Sequence, residues 1–201
     1  MTESPPGPTT FRSFVAVFPP GEVLDALGRL QENLEPVLPG LRWTARRNLH
    51  FTLRFFGDLT RGQVDLAGEV VRQVCAAAVP FEIELAGCGV FSDWRSPRVF
   101  WAGSGRGSAK LEALARTLER GFRDARLGKA DKPFKAHLTL GRWRDARGVD
   151  PAALRAACRT VGPIAAFTVE RVGVIKSTLD PKGSIYEVMR EGRLGSGAGL
   201  S

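Results

Sequence analysis

The tetrapeptide HFTL at His50–Leu53 returns as HLTL at His137–Leu140, 87 positions later, and these two stretches hold the only two histidines of the chain. Side chains of an extended segment alternate between faces. His50, Thr52 and Arg54 therefore share one face of a predicted strand, and Phe51, Leu53 and Phe55 the other; His137 and Thr139 stand opposite Leu138 and Leu140. Each strand is expected to bury an apolar face and to present an imidazole beside a hydroxyl.

Working outward, other fragments repeat in the same order at nearly the same offset. LDALGR from Leu24 matches LEALAR from Leu111 at 87, FVAV from Phe14 matches FWAG from Phe100 at 86, and FEIELAGCGVF from Phe81 matches FTVERVGVIKS from Phe167 at 86. A shared offset across several fragments argues for duplication more strongly than any one fragment. The chain is read as one domain over 11–190 made of two pseudo-symmetric lobes, about 11–96 and 97–190, joined near Ser92 to Arg98. Residues 1–10, rich in Pro and Thr, and 191–201, rich in Gly and Ser, are expected to be flexible tails. Apolar residues at helical spacing predict helices through Val23–Leu38 and Leu111–Phe122, with second helices at 62–78 and 150–159, the latter with Pro151 in its first turn. Strands are expected at about 11–18, 41–44, 50–56, 81–90, 98–103, 137–143, 167–178 and 184–190. No Gly-rich phosphate loop follows any strand. The expected class is α+β, with antiparallel pairing.

Composition narrows the function. Hydrophobic residues are 43% and charged residues 25% of the 201 positions, which is ordinary globular usage. No stretch is long and apolar enough for a membrane span, and the first residues do not read as a secretory signal. Cys75, Cys88 and Cys158 form no CxxC pair and read as reduced thiols of a cytoplasmic protein. The net charge of +8 favours anionic partners, nucleic acid first among them.

If the lobes face each other, two His-Thr pairs line one cleft. Two histidines across a cleft can act as acid and base on opposite sides of one phosphorus, and two threonine hydroxyls can donate to the oxygens between them. Arg46, Arg47 and Arg54 near the first motif, and Lys132, Lys135, Arg142 and Arg144 near the second, suit a charged transition state. Strict alternation places Arg142 away from His137, so it reaches a phosphate only if the strand ends or bulges near Gly141. Among the aromatics close to the motifs, Trp43, Phe55, Phe56, Phe134 and Tyr186, one could stack a nucleobase; a core role is the plain alternative for each. Two half-buried structural histidines are the plain alternative for the pair. Two histidines with no HExxH and no cysteine cluster make a poor metal site, so neither metal nor cofactor is expected.

The chain resembles the two-histidine (2H) phosphoesterase superfamily and, more narrowly, its RNA 2′,3′-cyclic phosphodiesterases, also called 2′-5′ RNA ligases. The resemblance rests on FRSFVAVFPP from Phe11, GLRWTARRNLHFTLRFFGDL from Gly40, PRVFWAG from Pro97, KPFKAHLTLGR from Lys132 and KSTLDPKGSIYEV from Lys176. It covers about residues 11–190. Trp43, Asn48, His50, Thr52, His137, Thr139, Arg142, Ser177, Leu179, Gly183 and Tyr186 match the family pattern; Ala136 departs from it, standing where proline is usual. The resemblance implies a bilobed α+β fold in which two antiparallel sheets flank a central cleft, with helices outside. It implies His50 as proton donor to the leaving O3′ and His137 as proton acceptor from water, an assignment that the near-symmetric sequence leaves open. Thr52, Thr139 and Arg142 are the expected phosphate-binding residues, and Trp43, Arg54, Phe56, Phe134, Lys135 and Tyr186 the candidate substrate contacts. The expected partners are RNA ends or cyclic nucleotides, taken by a monomer that needs no membrane; a basic cleft that holds RNA ends without turnover is the alternative function.

Overall fold

A computed structural model describes residues 9–181 and 183–195. Its elements run β1 (Thr10–Val17), α1 (Gly21–Leu34), β2 (Leu41–Trp43), β3 (Phe51–Thr60), α2 (Arg61–Ala76), β4 (Phe81–Ser92), β5 (Pro97–Ser104), α3 (Ser108–Asp124), β6 (His137–Trp143), α4 (Pro151–Thr160), β7 (Pro163–Val169), β8 (Arg171–Thr178) and β9 (Ile185–Arg193). Local chemistry explains the boundaries. Pro36 has no N–H to continue a helix, so α1 stops at Leu34 and passes through a single 3-10 turn before the buried Leu38. Thr60 and Gln63 form a capping box at the start of α2, and the Asp150 carboxylate accepts from Ala152 N–H at 2.8 Å ahead of Pro151. In α3, Leu111, Leu114, Leu118 and Phe122 form the buried stripe that their spacing predicts.

Every strand pairing is antiparallel, as expected. The expectation of two sheets is corrected: one continuous sheet runs β7-β4-β5-β6-β3-β1-β8-β9, with β2 beside β6. Two runs of strands, β7-β4-β5-β6 and β3-β1-β8-β9, each drawn from both expected lobes, meet at a narrow seam, where β3 and β6 share the single register pair Phe51↔Leu138; beyond it β6 pairs with β2 instead. The strand expected at 167–178 divides into β7 and β8, separated only by Glu170. One residue spans about 3.5 Å, yet β7 lies at one end of the strand order and β8 near the other, so the sheet must curl until its flanks converge there. The boundary expected at 190 also moves. β9 continues to Arg193 and Leu194 is 3% exposed, because that segment closes the core and its N–H donates to the Glu170 carbonyl. The rest of the two expected tails, 1–8 and 196–201, lies outside the described residues. No helix of the described residues is long and apolar enough to cross a membrane.

Candidate active site

The seam brings the two motifs together. Phe51 and Leu138 are both 0% exposed and face the core. Extending their antiparallel register by one residue each way sets His50 opposite Thr139 and Thr52 opposite His137, all four half-buried on the other face. A cavity of about 760 Å³ opens over them, within the usual size of small-ligand sites.

Backbone carbonyls orient both rings in the same way. His50 Nδ1–H donates to the Asn48 carbonyl and His137 Nδ1–H to the Lys135 carbonyl, each at 2.7 Å. A carbonyl can only accept, so in each neutral ring Nε2 is the bare nitrogen. The Thr52 hydroxyl donates to His50 Nε2 at 2.8 Å. Asn48 is itself fixed, its side-chain amide donating to the Ser184 carbonyl at 2.8 Å.

The two environments differ. Three aromatic rings wall His50: Phe14 at 4.9 Å, and Phe18 and Tyr186 at 5.3 Å between centroids. His137 stands perpendicular to the Phe91 ring, 4.6 Å between centroids. Burial disfavours the charged imidazolium and takes His50 down to about 4; the Asn48 carbonyl opposes this, while His137 and Arg142 add to it. Burial also lowers His137, against the Lys135 carbonyl and with Arg142. Both rings are therefore neutral near pH 7 in the empty cleft.

This has a consequence for stability. Unfolded histidine titrates near 6.5. Between about 6.5 and about 4 the unfolded chain binds a proton at His50 that the folded chain refuses. Stability then falls as pH falls through this window, by up to about 3 kcal/mol. Urea denaturation at pH 7 and pH 5 should show the loss in the wild type and a smaller loss in His50→Ala. Equal losses in both proteins would assign the acid lability to other groups.

The bulge that would bring Arg142 to His137 is present. β5 and β6 pair Trp101↔Thr139 and then Phe100↔Gly141, leaving Leu140 as an extra residue. Alternation is shifted by one, Leu140 and Trp143 stay buried, and Arg142 lines the cavity with His137 and Thr139. Phe134, Lys135 and Tyr186 line it too.

Three expected contacts are corrected. β3 carries its own bulge: Thr52 pairs with Ala16 and Arg54 with Val15, so Leu53 is the extra residue. Arg54 is thereby turned off the His50 face. It borders the cavity, but its side chain is 6% exposed and its Nη1 lies 2.8 Å from Glu119 Oε2, which neutralises it as a phosphate contact. Phe56 packs edge-on against Phe122 at 5.0 Å, and Trp43 edge-on against Phe100 at 6.1 Å; neither lines the cavity. The same bulge puts Phe55 there instead, 47% exposed, with the Arg12 guanidinium 4.7 Å from its ring centre. Arg12 and Phe14 were not among the expected site residues. Alternation along FRSFVAV sets Arg12 and Phe14 on one face of β1, and that was the available signal. Among the described residues no three His, Cys, Asp or Glu side chains gather into a metal-binding group.

Known proteins resemble this chain over most of its length. The family model described as the 2′-5′ RNA ligase superfamily matches residues 19–181. A protein of Aquifex aeolicus named RNA 2′,3′-cyclic phosphodiesterase is 31% identical over 185 residues, which are 92% of this chain and 97% of that one. A crystal structure of a Thermus thermophilus protein superposes with a TM-score of 0.75 at 29% identity, over 92% of this chain and 98% of that one. Escherichia coli LigT complexed with 3′-AMP has the same fold, with a TM-score of 0.74 at 21% identity, over 92% of this chain and 99% of that one.

Proposed function

Since the chain belongs to the 2′-5′ RNA ligase superfamily, of the 2H phosphoesterase kind, we propose that it hydrolyses RNA 2′,3′-cyclic phosphate ends to 2′-phosphomonoesters with His50 and His137 as an acid–base pair and no metal. The observation that carries this reading is the seam: two His-x-Thr strands paired so that both imidazoles and both hydroxyls face one cavity with Arg142 beside them. The names of the relatives support the substrate class, and a nucleotide complex of a protein with the same fold agrees with it.

In the proposed reaction water attacks phosphorus in line with the bond to O3′. His137 Nε2 takes the water proton as the new P–O bond forms, and His50 Nε2–H gives its proton to O3′ as the old bond breaks. Thr52, Thr139 and Arg142 donate to the non-bridging oxygens, where negative charge concentrates. His50 must first be charged. A bound phosphate anion favours the imidazolium, so His50 takes up a proton from solvent as the substrate binds. An RNA 5′-hydroxyl in place of water would give a 2′-5′ linkage by the same steps. The expected partners are RNA ends and cyclic nucleotides.

Incubation with 2′,3′-cyclic AMP in EDTA tests the reading. The expected product is 2′-AMP. Formation of 3′-AMP, or turnover only after metal is restored, would overturn it, and binding without turnover would leave a holder of RNA ends.

A further inference from the structure

We propose that Gln31, on α1, is a positioning residue for Arg142, because its side-chain amide holds the bulge that turns Arg142 into the cleft. The catalytic part of this inference rests on the function proposed above. A bulge leaves its extra residue without a partner on one neighbouring strand; Leu140 has none in β5, while its carbonyl faces the β2 side, where a buried carbonyl left unpaired would be costly. At Leu140 the carbonyl is taken from two sides. Thr44 N–H donates to it at 2.8 Å and Gln31 Nε2 at 3.0 Å. The same Gln31 nitrogen donates to the Thr44 carbonyl at 3.0 Å. An amide NH2 has two donors, and here both are used, one on the bulge of β6 and one on the chain just past β2. Gln31 thus ties together the two segments that must keep their spacing for Leu140 to remain the extra residue.

The spacing is tight. A Cβ on Gly141 would lie 2.8 Å from Leu41 Cγ and 3.0 Å from the Arg42 carbonyl oxygen. Only glycine therefore fits beside β2 at this point of the bulge, and a one-residue slip back to strict alternation would carry Arg142 to the far face. Gln31 is 109 residues from Leu140 in sequence and does not line the cavity, so its influence passes through the backbone.

The test compares Gln31→Met, which keeps the length and removes the donors, with Arg142→Ala and the double variant. Gln31→Glu, of the same shape but lacking donors when ionised, is the second variant if methionine is not tolerated. Two readouts are used. The first is NMR titration of the two histidine rings in the empty protein. Arg142 opposes protonation of both rings, in a cavity whose other charged groups are Arg12, Arg54, Asp131, Lys132 and Lys135. Displacing Arg142 should raise both histidine pKa values in Gln31→Met in the direction seen for Arg142→Ala, with no further rise in the double variant. The second is kcat/KM on 2′,3′-cyclic AMP, expected to fall about 10- to 100-fold in Gln31→Met and to be no lower in the double variant than in Arg142→Ala alone. Wild-type histidine titrations in both Gln31 variants, or full additivity with Arg142→Ala, would overturn the inference. A wild type inactive on the cyclic nucleotide would remove the proposed function, while the titrations would still decide the role of Gln31.

Discussion

His50→Ala and His137→Ala should each lose about 10²- to 10⁴-fold in kcat on 2′,3′-cyclic AMP, the usual contribution of one positioned acid or base. Both variants should fold. Each ring is half-buried, and removal of His50 also removes a group whose protonation destabilises the fold. The losses should not add, because an acid without its base is already close to idle. A second substrate separates the roles. A phosphodiester with a p-nitrophenolate leaving group departs without a proton, so loss of the acid costs little on it, while loss of the base still costs fully. Near-normal turnover of that ester is expected in His50→Ala and not in His137→Ala. The reverse pattern would exchange the roles, and normal turnover of the cyclic nucleotide by either variant would remove that histidine from the mechanism.

The alternation in HFTL and HLTL was enough to find both histidines and both threonines, because each strand stays regular through those residues. It failed one residue later in both strands. A bulge cannot be seen in a residue pattern that still reads as apolar and polar in turn, so Phe55 joins the cavity lining while Arg54 turns to Glu119 at its border. Phe55 and Arg142 lie 87 residues apart, like His50 and His137. Each follows its threonine by three, and each is brought back to the cavity by one extra leucine. The offset that revealed the paired motifs therefore also relates the two bulges, although no single strand reveals its own. Glycine was the clue in β6, where Gly141 admits the close approach of β2; β3 has no equivalent at Arg54. The single sheet was hidden for a related reason. β3 and β6 join the two runs of strands through one register pair, which is too little to leave a pattern of its own.

Arg142→Ala should cost about 10²- to 10³-fold in kcat/KM, the range for removal of one donor from a charge-stabilising site. Arg142 lines the cavity with both histidines and both threonines, and of the cations there it is the one whose charge is felt by both imidazoles. Arg54 cannot replace it, being paired to Glu119. Arg142→Lys keeps the charge but not the planar fork that matches two phosphate oxygens, so it should recover only part of the loss. The pH profile should move as well. In the empty cleft a cation disfavours the imidazolium, so removing it lets both histidines protonate at higher pH. Productive turnover needs one ring charged and the other neutral, which makes kcat/KM bell-shaped with apparent values that belong to the pair. The wild-type bell should be displaced to the acid side of 6.5, as follows from the downward shifts of both rings. In Arg142→Ala both limbs should shift to higher pH, and in Arg142→Lys they should stay close to the wild type. A large rate loss with the bell unmoved would mean that Arg142 acts on the phosphate alone; a bell displaced to lower pH would contradict its placement beside the two rings.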